Sequence, residues 1–565
     1  MNTRLGMLLA LIAGIVTALA VQGGDEPRAL GPLPDRGSIR VEAPSTGFEV
    51  RVPSTQQPES SAAGSVVATA GSNLASAGRS SGAAELGVAR RAIDAALVRA
   101  IEGEWQAAVE RAREGTSGSA NAGNCRFGYQ IVDLDSGTVI AERAPEETYE
   151  PASNLKLVTT LAGLVVLGPD WEFVTTAEAS GGLSAGVLDG DLVVRAGGDP
   201  LFEPGNPGYA ATRIERFVAE LRAAGVRRVR GDLVYDLGEY PEPGPASGWP
   251  SSNASWTGSY AYVSGLTANG GQVNLAFRAG DAGRTTMTMS PSPNGLSARG
   301  SVRATSSSIN DVRIGLIDAQ ARVDLAGEFG PPGRTFERDI RHPDPVAMFA
   351  ALFETSLQRA GIRVDGATRR DRGVERGSVL ATLRTPWIGL LDAINRDSEN
   401  GVADAVFLAI GGAVEGAPTR DAARAGVARS LDGLGVPTDG FHQVGGSGLS
   451  RDNRVSPAML VQLIRRVDAM PDRARDALFG SLAVAGMSGT LENRMDGTVA
   501  EGRVRAKTGF IVGASALSGL AEGLDGRRYA FSLLVGYPRI GGLNNSAWKP
   551  MHDAIAVRLV ERSSR

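Results

Sequence analysis

The distribution of apolar and polar positions changes character several times along this chain. Residues 5–21, "LGMLLALIAGIVTALAV", form an almost unbroken apolar run behind Arg4. The stretch that follows, to about residue 90, includes "STQQPESSAAGSVVATAGSNLASAGRSSGAA", rich in Ser, Gly, Ala and Pro. It has too little apolar surface to offset the entropy of ordering, which predicts a flexible tether over 21–90. "RRAIDAALVRAIEGEWQAAVERARE" then carries its apolar residues at helical spacing. "CRFGYQIVDLDSGTVIAERA" predicts two strands joined at a turn of Asp135, Ser136 and Gly137.

The next helix differs in kind. "SNLKLVTTLAGLVVL" is apolar on nearly all sides after its first residues, the pattern of a helix buried in the middle of a domain. Pro151 suits its start and Gly168-Pro169 its stop. From about 175 to 380 the pattern becomes short alternating segments between turn residues, such as "LDGDLVVRAGGDP", "VRRVRGDLVYD", "QVNLAFRAG" and "RVDLAGEF", which predicts one or two β-rich insertions. Helical spacing returns at "PWIGLLDAINRDSENGVADAVFLAIGG". The end, "VRAKTGFIVGASALSGLAEGLDGRRYAFSLLVGYP", predicts antiparallel strands followed by a terminal helix containing His552. The expected fold class is α/β (α+β), an antiparallel sheet with helices, written in two parts, 91–175 and 381–565, around an inserted β-rich region over 176–380.

Composition narrows the function. A chain of 565 residues is too long for one ordinary core. Its net charge of −4 offers no basic field for a polyanion, so nucleic acid is not an expected partner. Ala18 and Ala20 are spaced as an A-x-A cleavage site, so residues 1–20 read as a secretory signal or an uncleaved membrane anchor. Either address is exported, periplasmic or cell-wall associated. Cys125 is the sole cysteine and has no histidine near it in sequence, which suggests a buried small hydrophobe. His342, His442 and His552 stand in no metal-binding spacing, so no metal and no cofactor is expected. Matches to G-x-S-x-G at 78–82 and 182–186 fall in the tether and in a turn between strands. Neither is a strand-to-helix nucleophile elbow.

Lysine usage points to the chemistry. Of 58 basic residues only three are lysine: Lys156, Lys507 and Lys549. Ser153 and Lys156 lie three apart at the head of the buried helix, so their side chains share a face. A serine hydroxyl is a weak nucleophile until a neighbour takes its proton, and a desolvated lysine can do so where an arginine cannot. Lys507, Thr508 and Gly509 begin a strand-like run. A cation and a hydroxyl there suit a carboxylate, and the glycine lets a ligand approach the backbone. Ser398 and Asn400 lie two apart between helical segments. Singly, these are a common tetrapeptide, a surface strand with a turn glycine and an N-cap. Together, S-x-x-K, S-x-N and K-T-G in this order are the set found in serine enzymes that penicillin acylates.

From about residue 120 onward the chain resembles the class C low-molecular-mass penicillin-binding proteins, the D-alanyl-D-alanine carboxypeptidase/endopeptidase family. The resemblance rests on "PASNLKL", "GGDPLF", "GDLVYD", "SENGVAD", "GSGLSRDN", "GTLENRM" and "GRVRAKTG". Ser398 follows Ser153 by 245 residues, and in that family the interval holds domains inserted into a β-lactamase/transpeptidase-like catalytic domain. The resemblance implies that Ser153 attacks the amide of a terminal D-Ala-D-Ala and that Lys156 accepts its proton. Ser398 and Lys507 would relay a proton to the leaving amine, and Asn400 would hold Lys156 and bond the substrate amide. Lys507 and Thr508 would grip the terminal carboxylate, with oxyanion donors from the backbone of Ser153 and of Phe510, the residue after Gly509. The implied partners are peptidoglycan stem peptides, with β-lactam antibiotics as inhibitors. Two departures stand out: Phe510 replaces a usual Ser or Thr, and Gly445 stands where an Asp commonly precedes "GSGLS", which predicts a less securely ordered loop. A β-lactamase-like hydrolase and a non-catalytic penicillin-binding scaffold are the alternative readings. Carboxypeptidase and endopeptidase action, the third residue of the stem peptide and the oligomeric state all stay open.

Overall fold

A computed structural model of the chain describes residues 90–115, 124–250, 255–281 and 283–562. The apolar N-terminal run, all but the last residue of the expected tether, and the G-x-S-x-G match at 78–82 lie outside the described residues.

Alternating segments near both ends of the described chain build one antiparallel sheet. Its strands are β1 (Arg126–Asp133), β2 (Thr138–Arg143), β3 (Ala483–Val484), β4 (Val504–Ile511), β5 (Ala514–Glu522) and β6 (Arg528–Gly536), in the order β3-β4-β5-β6-β1-β2. Strand periodicity divides their apolar residues between two cores. Ile131, Leu517 and Leu533 face helices α1 (Ala95–Gly115) and α8 (Lys549–Glu561) through Trp105, Met551 and Ile555. Val132, Ala516 and Leu534 face a helical layer of α2 (Leu155–Val166), α3 (Leu391–Asn395), α4 (Asn400–Glu415), α5 (Arg420–Gly433), α6 (Pro457–Asp468) and α7 (Asp472–Gly480).

Helix α2 runs through the centre of this layer, and every side chain from Leu155 to Leu164 is buried. Its two threonines are accommodated because their hydroxyls donate to carbonyls, Thr159 to Gly446 O and Thr160 to Lys156 O, both at 2.8 Å. Pro151 precedes a single 3₁₀ turn, Ala152–Asn154, that feeds the helix. At its far end Gly168, at φ +76°, breaks it.

The inserted region leaves on strand Glu172–Ala179 and returns on Ser378–Pro386, which pair antiparallel. These strands belong to a five-stranded sheet whose other members, Leu192–Arg195, Leu233–Asp236 and Thr368–Asp371, run parallel to one another. The stretch expected to be β-rich also contains two helices, Tyr209–Ala223 and Pro345–Arg359. Their signals are present: Ala210, Ile214, Phe217, Val218 and Leu221 are buried at helical spacing, and Asp344 caps Val346 and Ala347 ahead of Pro345. The short strands on either side mask them. Nested inside is an all-β unit that includes strands Gln272–Ala279, Thr285–Ser290 and Thr335–Arg341, and one face of it meets the catalytic groups.

Candidate active site

The chain reaches Ser153 through a backbone that only a well-packed site maintains. Ala152 lies at φ +46°, a left-handed conformation that a residue with a Cβ rarely adopts and that costs about 1–3 kcal/mol. Gly448 packs against it so closely that a Cβ there would lie 2.0 Å from Ala152 O. On the other side, a Cβ on Gly509 would lie 2.7 Å from Pro151 O. Both glycines let neighbouring backbone press on the turn and hold the serine at the head of α2. This contact brings the Ser153 and Phe510 backbones to one cleft.

Lys156 is fully buried, one helical turn on. Its ammonium donates to Ser153 Oγ at 3.0 Å, Asn400 Oδ1 at 2.5 Å and Ser447 O at 2.7 Å. All three acceptors are neutral, so no contact compensates the charge. Burial pushes its pKa down to about 7, against the opposing pull of Asp404 and Glu399. Lys507, also fully buried on β4, donates to Ser398 Oγ at 2.9 Å and to Thr508 O at 3.0 Å. Burial and the nearby Lys156 charge hold it well below the usual lysine range. Ser398 meets it from a left-handed backbone at φ +68°, just ahead of α4. Drawn from three separate stretches of sequence, these residues form two adjacent hydrogen-bonded groups, Ser153–Lys156–Asn400 and Ser398–Lys507, coupled by the charge of Lys156 on Lys507.

Strand β4 is open beside this group. The two residues of β3 pair only with Arg505 and Ala506, so beyond Lys507 the described strand is bonded on its β5 side alone. Thr508 donates to Thr490 Oγ1 at 2.9 Å, and Phe510 is half exposed at the cleft. The cleft measures about 2010 Å³ and runs from Ser153 to the inserted region, where Trp249, Ser259, Tyr260 and Gln272 line it.

The insertion does more than border the cleft. Ser259 O accepts from Asn400 Nδ2 at 2.8 Å, so Asn400 holds Lys156 with its oxygen and the insertion with one N–H. Gln272 donates to Glu399 at 2.6 Å, and burial raises Glu399 to about 7. No spacing rule connects residues 259 and 272 to S-x-N, and sequence reasoning missed them. It also missed Thr490, within "GTLENRM", and Asp404, within "SENGVAD". Asp404 corrects the expectation about Gly445: its Oδ1 accepts from the N–H groups of Gly446 at 2.6 Å and Ser447 at 3.0 Å. A carboxylate from α4 thus orders the loop in place of one at 445, and the loop is buried throughout its "GGSGLS" segment. Residues 182–186, by contrast, are the strand Gly182–Ser184 and the two-residue turn that leads it into Val187–Asp189. Cys125 is buried, which raises its thiol pKa.

Comparisons with known proteins agree with this geometry. Residues 120–561 match the D-Ala-D-Ala carboxypeptidase 3 (S13) family. A D-alanyl-D-alanine carboxypeptidase of an Actinomadura species is 33% identical over 475 residues, covering 77% of this chain and 81% of that protein. Carboxypeptidase DacB of Mycolicibacterium smegmatis is 26% identical, covering 72% and 75%. Among solved structures, penicillin binding protein 4 of Haemophilus influenzae superposes with a TM-score of 0.67 at 21% identity, covering 80% of this chain and 98% of that one. The same protein complexed with a β-lactam gives a TM-score of 0.63 at 20% identity, with the same coverage. With its three motifs joined in one cleft and a match spanning most of its length, the chain belongs to the D-Ala-D-Ala carboxypeptidase 3 (S13) family.

Proposed function

We propose that this protein is a serine-type D-Ala-D-Ala carboxypeptidase, with endopeptidase capacity, that acts on peptidoglycan stem peptides through an acyl-enzyme on Ser153. The observation that carries this reading is the buried Lys156 amine, 3.0 Å from Ser153 Oγ, with a pKa pushed to about 7. A substantial share of it is neutral at pH 7 and can take the serine proton. Ser153 Oγ then bonds the carbonyl carbon, and the backbone N–H groups of Ser153 and Phe510 receive the oxyanion. As the C–N bond breaks, Ser398, bonded to Lys507, passes a proton to the leaving amine. The carboxylate of the leaving residue rests on Lys507 and Thr508. Because Phe510 supplies no hydroxyl, Thr490, bonded to Thr508, is the neighbouring hydroxyl on that side. Water releases the acyl group.

Acylation by β-lactams follows the same course, with the leaving amine still tethered to the adduct; the Haemophilus influenzae protein in complex with a β-lactam supports extending it to this chain. Residues 5–21 support export to the periplasm or cell wall, by a cleaved signal or a retained anchor. Mass spectrometry of purified protein incubated with benzylpenicillin tests the reading. The expected result is a covalent adduct on wild type, lasting minutes to hours, and none on Ser153→Ala. Rapid turnover of the adduct would indicate a β-lactamase, and no adduct with no penicillin consumed would indicate a scaffold.

A further inference from the structure

The cleft at Ser153 is also lined by residues that the reaction there does not use, among them Arg494, Lys549 and Asp553. Alternation along β4 places Lys507 and Gly509 on the side of the nucleophile turn and Thr508 and Phe510 on the side covered by α8. On that side the turn carrying Thr490 continues to Arg494, whose guanidinium holds Asp553 of α8 at 2.6 and 3.0 Å. Ser515, the register partner of Phe510, donates at 2.7 Å to Asn544, which begins the turn into α8. Lys549, the first residue of α8, lines the same cleft as Ser153.

The Lys549 ammonium makes no hydrogen bond or ion pair among the described residues. Its charged neighbours are Arg494 and Asp553; these two satisfy each other, which leaves the lysine as a surplus cation. It is partly buried, and burial together with Arg494 lowers its pKa. A cation kept from water beside another cation is stabilised by an incoming anion. The chain's lysine usage is also notable here. Only three of its 58 basic residues are lysine; two belong to the catalytic group, and the third lines the same cleft.

We propose that Lys549, with Arg494 behind it, is a carboxylate subsite for the leaving group, fitted to a peptide leaving group that carries a second carboxylate. This inference rests on the function proposed above. There, Thr508 takes the carboxylate of the leaving residue itself. Whatever else that residue carries would extend along the same cleft, which Arg494, Lys549 and Asp553 also line beyond Thr508. A single released alanine carries only the one carboxylate assigned to Lys507 and Thr508, whereas the amine of a cross-linked peptide, with its own stem attached, brings further carboxylates for Lys549. Such a substrate undergoes the same acyl transfer, in which the Ser153 Oγ–C bond forms and the C–N bond to the peptide amine breaks.

The test compares the full chain with Lys549→Ala, Lys549→Glu and Lys549→Arg on two substrates, a monomeric pentapeptide ending in D-Ala-D-Ala and a cross-linked peptide dimer. The quantity read is the ratio of kcat/KM for the dimer to that for the pentapeptide. The ratio is expected to fall about tenfold or more in Lys549→Ala, further in Lys549→Glu, and to stay within about threefold of wild type in Lys549→Arg. The rate of acylation by benzylpenicillin reports whether each variant keeps its fold, and Lys549→Glu serves if Lys549→Ala does not. A ratio unchanged within about twofold overturns this inference alone; a wild type that releases D-alanine but leaves the dimer intact overturns it together with the endopeptidase capacity proposed above, while the carboxypeptidase reading stands. A wild type that penicillin does not acylate and that cleaves neither substrate overturns the parent reading, and this one with it.

Discussion

Lys156 meets Ser153, Asn400 and Ser447 through neutral oxygens only, so its ammonium form gains hydrogen bonds but no contacting counter-charge. The rate of penicillin acylation is therefore expected to rise with pH along a limb of unit slope and level off above about 7, where the amine is neutral. Lys156→Arg retains a cation that does not deprotonate, and stopped-flow measurement should find acylation about 10²–10⁴-fold below the wild-type plateau, with the rising limb absent. The same shift has a stability consequence. An unfolded lysine holds its proton to about 10.4, whereas the folded one releases it near 7. The unfolded state binds more protons between those values, so wild type should gain stability relative to Lys156→Met as pH rises across that window. Below it the difference should be flat. This residue was legible because lysine is so rare in the chain. Ser398 and Asn400 were legible only beside the other motifs. Asp404 and Thr490 were not, since a lone acid in a helix or a threonine in a turn has no spacing that sets it apart.

Among the elements, the strands of the main sheet announced themselves by alternation and α2 by its unbroken apolar character. The turns and loops that fix the catalytic groups did not, because their conformations depend on contacts between distant backbones. Ala152 is held against Gly448, almost three hundred positions later. The loop from Gly445 to Ser450 depends on Asp404 of α4, and it supplies the Ser447 carbonyl that binds Lys156. Gly445→Asp, which would install the residue common in the family, is therefore expected to harm this protein. The new Cβ would lie 3.0 Å from Asp404 Oδ1, and a second carboxylate would share a buried site with the first. A loss of roughly 1–3 kcal/mol is expected from the crowding, read as a lower melting temperature, together with slower acylation. An unchanged melting temperature would mean that Asp404 is not what orders the loop.

For the whole molecule, the long interval between S-x-x-K and S-x-N made an insertion legible in outline, but not its docking onto the catalytic group. Gln272 and Ser259 reach Glu399 and Asn400 from the inserted region, so the S-x-N segment is held from both sides of the cleft. This coupling has an electrostatic form. The Gln272 hydrogen bond lowers the pKa of Glu399, opposing burial, and the Glu399 charge in turn raises that of Lys156. Gln272→Leu removes the first link: Glu399 becomes a stronger holder of its proton and is neutral over a wider pH range. Lys156 then loses a nearby negative charge, and its pKa falls further. The rising limb of the acylation profile should move to lower pH, while the plateau drops several-fold because S-x-N has lost a tether. An insertion that only walls the cleft would leave the limb in place, so a pH profile of benzylpenicillin acylation separates the two: a plateau loss without a shift of the limb rejects the electrostatic link, and neither change rejects the coupling altogether.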